Sequence, residues 1–87
     1  MVNSLSVSQT LQLAEKYYQA NRLTQAEQAY RQVLKEQPQN AEALCGLGII
    51  AQKINQPEMA EKLLSNAVSL QPKLFKAWFS LGNLRQA

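Results

Sequence analysis

The stretch NAEALCGLGIIAQKINQPEMAEKLLSNAVSLQPKL, residues 40–74, decides the fold, because the rest of the chain is a copy before it and a broken copy after it. Shifted by thirty-four residues, the sequence falls on itself without a gap. Leu13, Leu47 and Leu81 align, as do Ala14, Gly48 and Gly82. Asn21 lands on Asn55, Ala26 on Ala60, Glu27 on Glu61, Tyr30 on Leu64, Val33 on Ala67, and Gln37-Pro38 on Gln71-Pro72. Self-similarity at a period of this length marks a helix–turn–helix repeat array, in which a unit buries its apolar face only against its neighbours.

Working outward, the apolar spacing predicts five helices and no strand. The first runs from about Val7 to Ala20, with Ser6 as N-cap and Gln9 completing a capping box. Asn21 ends it, since asparagine tolerates the left-handed backbone that helix C-termini use. The second begins at a capping box over Thr24 to Glu27, carries Ala26, Ala29, Tyr30, Val33 and Leu34 on its inner face, and stops before Pro38. Asn40 caps a third helix of about Ala41 to Ile54, and Asn55 repeats the role of Asn21. Pro57 opens the fourth, with Glu58 and Glu61 near its positive end. The fifth, about Phe75 to Ala87, has no partner helix in the sequence. Turns of a few residues make successive helices antiparallel neighbours. The expectation is one all-α domain over residues 1–87, with units at about 7–40 and 41–74 and a partial unit at 75–87. A pattern that stops in mid-unit is expected of a piece of a longer protein.

The composition excludes more than it proposes. The chain has 87 residues, no histidine and a formal charge of +3, with basic residues dispersed among glutamates rather than gathered in the stripe a nucleic-acid binder shows. Without His, neither a Ser-His-Asp nor a Cys-His nucleophile can be assembled, and a metal site would need Glu and the one Cys at a suitable spacing, which the sequence does not offer. Glu58 and Glu61 are read as helix-start electrostatics rather than an acid–base pair. Gly46-Leu47-Gly48-Ile49-Ile50-Ala51 matches a dinucleotide-binding fingerprint, but that loop follows a strand, whereas this segment lies within a helix and Gly48 recurs as Gly82. The glycines are read as packing residues. The single cysteine, Cys45, excludes an internal disulfide and fits a reducing compartment; it is read as a small, semi-buried thiol. The start has no signal-peptide pattern, and no run is long enough to span a membrane. No enzyme activity, cofactor, nucleic acid or membrane partner is therefore expected, and the expected location is the cytosol.

Leu44, Leu47, Gly48 and Ala51, followed by Ala60, Leu64, Ala67 and Pro72, resemble the tetratricopeptide repeat family. The earlier unit gives Thr10, Leu13, Ala14 and Tyr17, then Ala26, Tyr30, Val33 and Pro38; the later one gives Trp78, Leu81, Gly82 and Arg85. Thr10, Ala51, Val33 and Arg85 depart from the family pattern, and Thr10 implies a less well packed first helix. The resemblance covers residues 7–87 and implies a short right-handed α-solenoid. It also implies that the first helix of each unit lines a concave groove. The residues so placed include Leu11, Glu15, Tyr18, Cys45, Ile49, Gln52, Lys53, Lys76, Phe79 and Asn83. Only Lys76 matches the family's carboxylate clamp, because Leu11, Glu15, Gly46 and Ser80 stand at its other positions. The asparagine ladder of the sugar-transferase arrays is absent, with Gln12, Gly46 and Ser80 in its place.

The expected function is binding of a protein or peptide, as an extended segment or partner helix, against the apolar stripe of this groove. Alternatives are the N-terminal substrate-selecting array of a larger transferase, or a self-assembly scaffold. Trp78, Leu81 and Leu84 on the unpartnered fifth helix are the candidates for self-association.

Overall fold

The computed structural model describes residues 6–86, all helix and turn: α1 (Val7–Gln19), α2 (Leu23–Glu36), α3 (Ala41–Lys53), α4 (Pro57–Leu70) and α5 (Phe75–Gln86). Residues 1–5 and the expected extension of α5 to Ala87 lie outside the described residues.

The turns repeat as faithfully as the sequence. Asn21 and Asn55 both adopt the left-handed conformation, with φ of 62° and 64°. Around Asn21, Arg22 N donates to Tyr17 O at 2.8 Å and Asn21 N to Tyr18 O at 2.9 Å; around Asn55, Gln56 N donates to Ala51 O at 2.8 Å and Asn55 N to Gln52 O at 3.1 Å. Each pair is a Schellman closure that satisfies carbonyls the helix end would otherwise leave orphaned. At the other turns, Gln37 N donates to Val33 O and Gln71 N to Ala67 O.

The caps divide. Ser6 and Gln9 form the full capping box of α1, and the Asn40 side chain accepts from Ala43 N at 2.9 Å to cap α3. The box expected at Thr24 does not form. Helix α2 starts at Leu23 with Arg22 as its N-cap and no side-chain cap bond. The Schellman closure at Asn21 forces this early start: Arg22 O already accepts from Ala26 N at 3.0 Å, which leaves Thr24 inside the first turn. Glu27 turns instead to Arg31, with a 2.8 Å ion pair one helical turn on. Pro57 occupies the first turn of α4, as expected.

Small residues let the helices approach. Ala14, Ala26, Ala60, Ala67 and Ala77 are fully buried. One apolar cluster joins α1, α2 and α3 through Ala14, Ala26, Tyr30, Val33, Ala43, Leu47 and Ile50. A second joins α3, α4 and α5 through Leu44, Cys45, Ala51, Leu64, Val68, Ala77 and Leu81. Helix α3 belongs to both, which is why its sequence is apolar nearly all round. Odd-numbered helices also touch, α1 against α3 and α3 against α5, so the pairs stack into a slab 48 × 26 × 17 Å in extent.

Thr10 does not loosen α1. It is buried, and its Oγ1 donates to Ser6 O at 3.0 Å. Arg85 continues α5 and reaches Glu61 on α4 at 3.7 Å. Leu81, expected to face outward with Trp78 and Leu84, is instead 2% exposed against α3 and α4. It shares a face with Ala77, one turn earlier, and that face meets the preceding pair.

Candidate functional site: a cleft between the odd-numbered helices

The side-by-side packing of α1 and α3, with α5 beginning beside them, leaves a concave cleft of about 520 Å³. Leu11, Glu15 and Tyr18 line it from α1, spaced at three and four residues so that one helix face supplies them all. Cys45, Gly46 and Ile49 line it from α3 in the same way, with Glu42 one turn before. Leu74 and Lys76 close the end at the start of α5. Lys76 Nζ stands 3.8 Å from Glu15 Oε2, so a loose ion pair spans the mouth from the first helix to the fifth. Both side chains are more than half exposed, and such a pair contributes little stability.

Of the groove residues expected from the sequence, the cleft gathers Leu11, Glu15, Tyr18, Cys45, Ile49 and Lys76. Gln52 and Lys53, at the end of α3, are not among its lining residues, although Lys53 Nζ lies 5.4 Å from the centre of the Tyr18 ring and so covers that wall from outside. Phe79 and Asn83 are exposed farther along α5 and do not reach the cleft. The sequence reading missed two lining residues. Leu74 lies in the turn between units, outside the groove register. Tyr30 comes from α2, the second helix of its pair, and reaches the concave side across Gly46.

The chemistry at the floor is neutral. Burial pushes the Cys45 thiol up to about 11; Lys76 opposes this and Glu42 reinforces it. The thiol is 3% exposed and is therefore a packing group rather than a nucleophile. Burial likewise pushes the Tyr30 phenol up to about 12, with Glu15, Cys45, Glu42 and Tyr18 adding to the effect. The fingerprint glycines are packing residues. A Cβ at Gly48 would stand 2.6 Å from Leu64 Cγ, and one at Gly46 would overlap the Tyr30 ring. Gly82, the repeat-equivalent of Gly48, has nothing within 4 Å of that position.

Stacked antiparallel helix pairs with a concave face define a helical-repeat protein. A family model described as tetratricopeptide repeat matches residues 17–81. Tetratricopeptide repeat protein 7A of Homo sapiens is 31% identical over 65 residues, which is 75% of this chain and 8% of that protein. The chain belongs to the tetratricopeptide repeat family. Repeats of this family are a non-catalytic module that mediates protein–protein interaction. Among the described residues, no helix is long and apolar enough to cross a membrane.

Proposed function

We propose that the chain is a protein-interaction module that takes a peptide segment into the cleft between α1, α3 and the start of α5. The observation that carries this is the lining. Leu11, Tyr18, Ile49 and Leu74 are only half-buried, and they converge on a concave surface rimmed by Ser8, Gln12, Glu15, Glu42 and Lys76. A concave apolar surface with a few polar groups at its edge is what a peptide side chain needs to leave water. Peptides selected from a random display library on the immobilised protein should lose binding to Ile49→Glu, which puts a charge at the floor. They should bind Lys35→Glu, altered on α2 outside the cleft, as they bind the parent. Circular dichroism should show both variants equally helical. Selected peptides indifferent to Ile49→Glu would remove the cleft from consideration.

A second reading is favoured by a different observation. Phe75 and Phe79 are 76% and 71% exposed, Trp78 is half-exposed, and all three continue into the open surface over Gly82. In the preceding unit the equivalent surface, at Gly48, is filled by α4. Helix α5 is thus apolar on two faces and buries one. The second face is proposed to pair with a second copy of the chain.

A further inference from the structure

The cleft floor holds a polar group that makes no hydrogen bond among the described residues. Tyr30 belongs to α2, behind the contact between α1 and α3, and is 8% exposed. The far end of its ring lies against Gly46, where a Cβ would overlap Cζ and both Cε atoms. Any side chain at that position would close the gap, so the glycine is the opening through which the phenol reaches the concave side. There it lines the cleft with Leu11, Glu15, Glu42 and Cys45. Its hydroxyl makes no hydrogen bond among the described residues, yet no side-chain oxygen or nitrogen there is sealed from solvent without a partner. The Oη therefore touches water inside the cleft and has a proton to donate.

We infer that Tyr30 is the specificity-determining donor of the cleft, giving its Oη–H to a backbone carbonyl of an extended peptide of neutral or basic character. This rests on the reading of the cleft as a peptide site and chooses among the peptides that would fit it. Carbonyls in the interior of a helical ligand are already bonded, whereas those of an extended segment are free to accept. The acceptor is a carbonyl rather than a carboxylate because Glu15 and Glu42 line the same cleft and their negative charges already act on this phenol. Glu15 is shared with Lys76, but Glu42 has no ion pair among the described residues, so the floor repels an acid and attracts a basic side chain. Leu11 and Ile49, which line the same cleft, offer the apolar contact that would hold the flanking residue.

Peptides selected from a random display library on the full chain supply the probe, compared on the parent, Tyr30→Phe and Ile49→Glu. Tyr30→Phe removes one oxygen that has no partner among the described residues, so its Tm should match the parent's. Its affinity for the selected peptides should fall about two- to tenfold, the scale of one neutral hydrogen bond. The peptides should be neutral or basic and should bind without becoming helical. The inference is overturned by equal affinity for Tyr30→Phe, by a lowered Tm of that variant, or by peptides that require an acidic residue, a free carboxylate or a helical state. If Ile49→Glu abolishes binding while Tyr30→Phe leaves it unchanged, only this inference fails. If neither matters, or the library yields no binder, the peptide-cleft reading fails with it.

Discussion

The three glycines show how one residue type serves different ends. At Gly48 an added methyl would press on the side chain of Leu64, which is fully buried. Gly48→Ala should therefore be destabilised, because overpacking costs about 1–3 kcal/mol against a helix-propensity gain of up to about 1 kcal/mol. Gly82→Ala meets open space and should be more stable by up to about 1 kcal/mol. Urea unfolding of the two variants should move in opposite directions; a shared sign would show that the site around Gly82 is filled. Cys45 makes a second test at this scale. Its pKa rises from an ordinary 9.0 to about 11 on folding, so the folded state holds the proton longer than the unfolded chain does. That contribution to stability is complete below about pH 9 and is lost as the pH climbs to about 11. Over that range Cys45→Ala should lose less stability than the parent, and at neutral pH the parent thiol should react with iodoacetamide far more slowly than in the urea-unfolded chain. Rapid alkylation of the native protein would refute the buried, neutral thiol.

At the scale of the element, Asn40→Ala removes an observed cap bond to Ala43 N and should cost about 1 kcal/mol. Thr24→Ala, inside the first turn of α2 and capping nothing, should stay within about 0.5 kcal/mol of the parent. Thermal melts that ranked them the other way would restore the capping box at Thr24. The contrast shows what local sequence can and cannot reveal. Helix existence, the stops before Pro38 and Pro72 and the left-handed turns at Asn21 and Asn55 are written in residues a few places apart. The true start of α2 is set by the preceding turn, which commits Arg22 before Thr24 is reached. The cleft divides in the same way. Its α1 and α3 lining follows from helical register. Tyr30 enters only because a helix away Gly46 lacks a side chain, and that conjunction is visible only once the helices are packed. Phe79 and Asn83 carry the groove register too, but only the first turn of α5 reaches the cleft.

For the whole molecule, the two faces of α5 matter most. Ala77 and Leu81 are spent inside the chain, and Trp78 has committed its indole N–H to Pro72 O at 2.8 Å, but Phe75 and Phe79 stay in water. Large aromatic surface of this kind is worth roughly 1.5–3 kcal/mol per side chain when buried. Light scattering at high micromolar concentration should return a mass above the 9.8 kDa of one chain, and Phe75→Glu should reduce it to that value. A parent already at 9.8 kDa would reject pairing through this face.

The shared position of α3 has a consequence for how the chain comes apart. Because both apolar clusters include it, neither helix pair can melt completely without stripping one side of the other. Adjacent units are thus thermodynamically coupled through a common member, and the free energy of the array is carried by the joint between units as much as by the units themselves. Opening from the outer helices α1 and α5 is the low-energy route, and loss of α3 is equivalent to global unfolding.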